Sequence, residues 1–518
     1  MIKRTCASPL ASSVLVTMLF VPLGGAAFGE RLRREIRLGH GQRIMAVHHG
    51  SREGAVVAGA APSYPHPRPR LAGFSPYVAV TTSTKRSSKD IDFEHDLETI
   101  YPCNPDRGPI GGQCGSPNPP ASANFVVGIL DSGAVVDLAA GSGAATLGMD
   151  GPYLTPYFVE IGGTSGTVSA SVTQPLGIYA AGLSAVDGGI LDISAVVGHS
   201  NTSALAAPPI ECGGVEAVSA LIGTPFLSFY TAIIRVDTPR TATVAGSVFA
   251  GPDVQIQALF DSIPEFEHAF SMQFGGLSPV ATASYFPDLE DLVTPLVPTQ
   301  LSLSSLSFPT GGVFFSRIYV VQGEPSPTNP LVELRVMVDT GAQSSIISPG
   351  VAADLNLPRD PDFTVDVCGV GGITEGVPGY YIDYLQINAS GGPLKFSRMP
   401  FVVLDLPSPE GGPLDGVLGM NAFWNRNVIF EPSLTGSAFF HVSAPVSIAF
   451  GDSDVNLRVD AYDAAYFVGC WTAPRSAGVS AECDHLDADF DHAVDLHDFS
   501  DFQNCFSGSS LADPTCSE

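Results

Sequence analysis

An all-β fold of two related units, followed by a small helical module, is what this 518-residue sequence predicts. Three observations predict it. Short runs of Val, Ile, Leu, Phe and Tyr alternate with Gly, Pro, Asn and Ser clusters, without long amphipathic helical patterns between them. One ordered set of landmarks occurs twice between about residues 110 and 440. An alternating acidic pattern near the C-terminus occurs twice, at a shift of 35 residues.

Length and composition agree with this organisation. A chain of this length exceeds one hydrophobic core and suggests about three units. Hydrophobic residues make up 45% of the chain and charged residues only 15%, so there is ample apolar surface to bury. The 55 glycines and 43 prolines punctuate short strands.

Residues 1–29 read as an export signal, since Lys3 and Arg4 precede a short apolar stretch that Pro22 and Gly24 interrupt. The expected product is secreted or held at the cell surface, with no membrane-spanning segment after signal removal. Cys6 lies in that signal and leaves eight cysteines, an even number that suits an oxidising compartment and structural bridges. Cys103 and Cys114 bracket a Pro/Gly-rich loop; Cys470, Cys483, Cys505 and Cys516 crowd the C-terminus. Residues 30–90 read as a basic, Pro/Ser-rich leader or linker. The net charge of −28 is unevenly spread, with 14 basic and 9 acidic residues in 1–107 and a strongly acidic remainder. That balance excludes nucleic acid as a partner of the main body.

The two units are placed at residues 91–298 and 299–445. In the first, the apolar run Phe125-Val-Val-Gly-Ile-Leu130 follows a turn-rich stretch and ends in Asp131-Ser-Gly-Ala134. In the second, Leu331-Val-Glu-Leu-Arg-Val-Met-Val338 follows a turn-rich stretch and ends in Asp339-Thr-Gly-Ala342. Each then reaches an apolar run closed by glycine, Ala220-Leu-Ile-Gly223 and Gly416-Val-Leu-Gly419, after 92 and 80 residues. A lone Asp-Ser/Thr-Gly is no more than a turn at a strand end. Two in matching contexts point to chemistry that needs two carboxylates sharing one proton, one acting as base and the other as acid. Asp131 and Asp339 are then the candidate pair. Ser132 and Thr340 supply hydroxyls that hold the turns, and Gly133 and Gly341 let the backbone turn tightly behind each carboxylate. No helical zinc motif, Gly-x-Ser-x-Gly elbow or phosphate loop competes.

Val338-Asp-Thr-Gly-Ala-Gln-Ser-Ser-Ile-Ile347 and Asp415-Gly-Val-Leu-Gly-Met-Asn-Ala-Phe423 resemble the active-site turn and supporting glycine element of the pepsin/retropepsin superfamily of aspartic peptidases. Val367-Cys-Gly-Val-Gly-Gly372 is similar to the flap hairpin of retropepsin-like domains, and Val159-Glu-Ile-Gly-Gly163 is its counterpart in the first unit. The resemblance implies two β-barrel lobes, one aspartate from each, a peptide or protein substrate, an acidic optimum and no cofactor for catalysis. The first lobe departs at Asp137, where the second copy has small and apolar residues. That departure keeps two rivals in view: a non-catalytic peptide- or ligand-binding surface protein, and a single active lobe working as a homodimer.

Residues 446–518 form the third unit. Asp452, Asp454, Asn456, Asp460 and Asp463 stand at positions 1, 3, 5, 9 and 12 of a loop, and Asp487, Asp489, Asp491, Asp495 and Asp498 repeat them. Alternating carboxylates of this kind can surround a calcium ion, which takes six to eight oxygen ligands. Val459 and Val494 at position 8 would anchor the loops on a small core, and helix-like segments ending in Cys470 and Cys505 follow them. The pair resembles a type I dockerin, a duplicated EF-hand-like calcium module. That implies structural Ca2+ and a cohesin-like or cell-surface scaffold partner. Leu457 and His492 stand where EF-hand loops commonly have glycine, which is expected to weaken binding.

Overall fold

The computed structural model describes residues 66–83, 124–151, 154–163, 166–173, 176–192, 195–202, 204–212, 215–258, 261–275, 312–406, 414–433, 437–472, 479, 483–489 and 493–517, with four short strands before residue 46. Apart from those strands, the expected export signal lies outside the described residues, as do Cys103, Cys114, Asp491 and His492.

Most of the described chain is β-sheet, as the sequence predicts. Phe125–Leu130 is buried at every position, which explains its unbroken apolar run. Val332–Val338 instead begins in alternation, with Glu333 and Arg335 outward and Leu334 and Val336 inward. After Ser345–Ile347 the chain turns into the short helix Pro349–Asp354, where the Ser348 hydroxyl caps the Val351 amide and Pro349 fixes the first turn.

Two large sheets of ten and thirteen strands contain the two copies, and the copies share one set of strand pairings. Ala220–Ile222 runs parallel to Phe125–Leu130 and antiparallel to Leu138–Ala140. Gly416–Leu418 runs parallel to Val332–Val338 and antiparallel to Ser345–Ile347 in the same way. Leu154–Gly163 forms a hairpin with Gly166–Thr173, and Phe363–Gly369 forms one with Gly372–Ile387. The stretch that resembles a flap in the second copy therefore ends in a hairpin turn, and in the first copy Gly163 pairs with Gly166.

The expected unit boundaries do not follow the sheets. Tyr77–Ser83, inside the expected leader, pairs with Phe125–Leu130 as Val313–Val321 pairs with Val332–Val338. Tyr230–Val244, Ser247–Ala258 and His268–Gly275, inside the expected first unit, belong to the second sheet. Tyr230–Val244 pairs with Arg426–Pro432, and His268–Gly275 pairs with both Ser437–Pro445 and Val313–Val321. The reason is partner choice. Strand patterning sets which face is buried, but the edge a strand joins depends on residues distant in sequence.

Three disulfides tie the described chain: Cys212–Cys368, Cys470–Cys483 and Cys505–Cys516. The first joins the two copies, connecting Ile210–Cys212 to the arm Phe363–Gly369 of the second hairpin across 156 residues of sequence. Closing so long a loop restricts the unfolded chain strongly, by about 4–5 kcal/mol in a chain-entropy account. A Cys212→Ser/Cys368→Ser double variant is expected to lose about 2–5 kcal/mol in urea unfolding. An unchanged midpoint would show that the bridge constrains nothing the sheets do not already fix.

The C-terminal residues have a core of their own, with Val459, Tyr466, Phe467, Leu486, Val494 and Phe502 buried together. The helices Ala461–Cys470 and Leu496–Cys505 pack around it. No helix among the described residues is long and apolar enough to cross a membrane.

Candidate active site and acidic loops

Each candidate aspartate is placed by the strand before it and the glycine-closed strand beside it. The Asp131 amide donates to the Ile222 carbonyl at 2.8 Å, and the Asp339 amide donates to the Leu418 carbonyl at 3.1 Å. Behind each carboxylate the chain turns so that two amides point back at it. Asp131 Oδ1 accepts from Gly133 and Ala134, both at 2.9 Å. Asp339 Oδ1 accepts from Gly341 at 2.8 Å and Ala342 at 3.2 Å.

The two turns face each other closely. A methyl group added at Gly133 would stand 2.5 Å from Cγ of Asp339, and one at Gly341 would stand 2.5 Å from Cγ of Asp131. Only glycine fits at either position. Next to the carboxylates lies a reciprocal latch. Ser132 Oγ donates to the Val338 carbonyl at 2.8 Å and accepts from the Thr340 amide at 3.0 Å. Thr340 Oγ1 donates to the Leu130 carbonyl at 2.7 Å and accepts from the Ser132 amide at 3.0 Å. Every one of these groups is buried, so deleting a hydroxyl leaves a carbonyl and an amide without partners. Thr340→Val is expected to cost about 2–6 kcal/mol, from about 1–3 for each orphaned group. Equilibrium unfolding beside Thr340→Ser, which keeps the hydroxyl, checks this; equal losses in both variants would refute the latch.

Asp131 and Asp339 are both fully buried. Their Oδ2 atoms have no side-chain donor among the described residues, and the Gly133 amide also acts on the Asp339 carboxylate. A hydrogen bond between the two carboxyl groups therefore exists only when one carries a proton. Burial, then the charge of Asp339 and the hydrogen bond with it, push Asp131 well above the usual carboxylate range. Burial raises Asp339 to about 6, against the hydrogen bond from Asp131 and the surrounding amides. The pair thus keeps one proton to a higher pH than an isolated carboxylate, and it titrates as a unit.

Asp137 receives a different account from the one its sequence context suggests. It stands six residues after Asp131, as Ser345 stands six after Asp339. Asp137 Oδ1 accepts from the Gly223 amide at 2.8 Å, and Ser345 Oγ accepts from the Gly419 amide at 3.0 Å. The two side chains hold equivalent glycines, so the departure in sequence keeps the local contact. Ser345 also donates to Asn421 Oδ1 at 2.7 Å. Asn421, two residues beyond Gly419 in the element quoted above, has no sequence signal that marks it as a partner of Ser345. Burial raises Asp137 to about 7.

Residues 328–422 match the aspartyl protease family model. The matched segment contains Asp339, Thr340, Gly341, the hairpin of Phe363–Gly369 and Gly372–Ile387, Gly419 and Asn421. Asp131 lies outside it. No curated protein matches the chain. Among solved structures, the aspartic proteinase from Irpex lacteus aligns at 11% identity and a TM-score of 0.32, over 63% of this chain and 96% of that chain.

The acidic loops form two clusters of the same pattern. Carboxylate oxygens of Asp452, Asp454 and Asp463 lie within 4.8 Å of one another, and so do those of Asp487, Asp489 and Asp498. These are loop positions 1, 3 and 12 in both copies. Asp460 and Asp495 at position 9 stand outside the clusters, capping the helices that follow, each in a reciprocal box with Asp463 or Asp498. Asp463 Oδ1 also accepts from the Ser453 amide at 2.8 Å, as Asp498 Oδ1 does from Ala488 at 2.6 Å. Asn456 bonds to Asp454 Oδ2 through its side-chain amide at 3.0 Å. Leu457 at position 6 adopts φ +63, so the turn forms without glycine. Val459 and Val494 are fully buried.

Hard oxygen donors at this spacing suit calcium. Burial, then the charge of Asp463, raises Asp452 to about 6. Burial, followed by the charges of Asp452 and Asp460, raises Asp454 to about 7. Asp463 is raised to about 7 by burial and the charge of Asp454. A cation among these groups would relieve that repulsion.

Proposed function

We propose that the chain is a secreted aspartic-type endopeptidase of two lobes, with Asp131 and Asp339 as its catalytic pair and a calcium-binding C-terminal module. The observation that carries this reading is the pair itself: two buried carboxylates, each held by two amides, facing one another across a latch built from both turns. The ionised carboxyl takes a proton from water as the water oxygen bonds to the peptide carbonyl carbon. The protonated carboxyl gives its proton to the carbonyl oxygen. As the resulting tetrahedral diol collapses and the C–N bond breaks, the carboxyl that took the water proton gives it to the leaving amine, and a diol hydroxyl returns a proton to the other carboxylate, which restores the pair. The latch joins two turns of one chain, which supports an intramolecular pair over a single lobe acting as a homodimer.

Calcium would be held by Asp452, Asp454 and Asp463 in the first loop and by Asp487, Asp489 and Asp498 in the second. When bound, it supplies structural order to the tail. The likeness to dockerins extends this reading to a cohesin-like scaffold partner. Hydrolysis of a fluorogenic peptide mixture by the mature chain between pH 3 and pH 8 tests the enzymatic reading. Turnover by a monomer that declines above neutral pH is expected; activity that keeps rising, or none at any pH, would count against it.

A further inference from the structure

Residues 66–75 precede the first large strand and read in sequence as linker, yet they touch both the Asp339 turn and the first acidic loop. On one side, Ser344 Oγ donates to the Leu71 carbonyl at 2.7 Å, and the Gly73 amide donates to the Gln343 carbonyl at 2.8 Å. Gln343 Nε2 donates to Ser75 Oγ at 2.7 Å. Gln343 and Ser344 directly follow Ala342, whose amide holds the Asp339 carboxylate. Gly73 sits so tightly against Met420 and Asn421 that a methyl group there would stand 2.2 Å from the Met420 carbonyl carbon.

On the other side, the Arg70 guanidinium donates to the carbonyl of Asp452 at 3.1 Å and of Ser453 at 3.3 Å. It also lies 4.0 Å from the ring centroid of Trp424, just beyond the short helix Met420–Phe423. Arg68 pairs with Asp484, three residues before the second loop begins. A pocket of about 140 Å³, partly open to solvent, lies at the junction and is lined by Arg70, Phe74, Gln343, Asp454 and His485.

We infer that calcium in the first loop is coupled to the Asp339 turn through residues 68–75. Asp452 makes both connections. Its carboxylate belongs to the acidic cluster, and its carbonyl receives Arg70. Fixing that residue fixes the carbonyls that hold Arg70. The strap so anchored holds Gln343 and Ser344 behind the carboxylate. Arg70 is thus a positioning residue, and the tail is a clamp on the body as well as an appendage. The inference rests on the calcium reading above, and its test separates the two.

The full mature chain is titrated with CaCl2 by calorimetry, with amide hydrogen exchange followed in the same samples. Calcium at one hundred times its Kd is expected to slow exchange about 10- to 100-fold, in residues 452–463 and also in 66–75 and 339–348. In a Trp471→Phe background Trp424 is the remaining tryptophan of two, and its emission should shift with the calorimetric midpoint. Arg70→Met should keep calcium binding and protection of the loop while protection of 339–348 is lost. Calcium binding that protects 452–463 alone would overturn the coupling and leave the calcium reading standing. Retained protection of 339–348 in Arg70→Met would overturn the assigned route. Absence of binding heat would overturn both readings together.

Discussion

Replacing either aspartate of the pair by asparagine is expected to lower peptide hydrolysis by about 10⁴-fold, the upper range for removal of a general acid–base group. The substitution is conservative in every other respect. Asparagine keeps an oxygen that can accept the two amides now bound to Asp131 Oδ1 or Asp339 Oδ1, so the turn should survive. What it loses is the ability to take a proton from water or share one with its partner. Measured as kcat/KM beside size in solution, Asp131→Asn and Asp339→Asn should fall together in a monomer. Loss confined to Asp339→Asn, with an active dimer, would point to a homodimeric site and assign Asp131 a structural part. Full activity in both would remove the pair from the mechanism.

The second large effect is on stability, and it runs with acid. Asp137 is fully buried and raised from 3.8 to about 7. Asp339 is raised to about 6, and Asp131 is raised well above its ordinary value. Each folded-state pKa lies above the unfolded one, so between about pH 4 and pH 7 the folded chain binds more protons than the unfolded chain. Stability must then fall as pH rises through that window. Asp137 alone accounts for about 2–4 kcal/mol, from about 1.4 kcal/mol per pKa unit. Urea unfolding at saturating calcium should therefore give a higher midpoint at pH 4 than at pH 7. Asp137→Asn keeps an acceptor for the Gly223 amide and cannot ionise, so it should flatten that dependence. Stability that is level or rises from pH 4 to pH 7 would show that these carboxyls do not carry raised values. The same shifts keep a proton on the Asp131–Asp339 pair toward neutrality, which widens the activity window expected of the proposed peptidase beyond strong acid.

Legibility in sequence follows the range of the interactions. Asp131-Ser-Gly-Ala134 and Asp339-Thr-Gly-Ala342 could be read because the turn that holds each carboxylate is made within three residues. The acidic loops could be read for the same reason, with alternate residues converging locally. The role of Asp137 is not legible locally because its partner, the Gly223 amide, lies 86 residues away. Asn421 is equally silent in sequence, since a lone Asn after Gly-Met carries no signal until Ser345 faces it. The leader boundary failed at Tyr77-Val-Ala-Val80, a run with the apolar character of a strand but too short to stand out from its linker-like surroundings.

By itself, the sequence determined that the chain is mostly β, that it carries two Asp-Gly turns in matching contexts, and that two acidic loops recur near its end. These follow from spacing and local backbone preference, which a linear chain displays directly. Tertiary structure alone decided that strands between Tyr230 and Gly275 join the second sheet, that Cys212 bridges to Cys368, and that Arg70 reaches the carbonyls of Asp452 and Ser453. The bridge joins residues 156 positions apart, and Arg70 meets the Ser453 carbonyl across 383 positions. Which distant groups meet depends on how whole sheets pack, and neither composition nor periodicity encodes that choice.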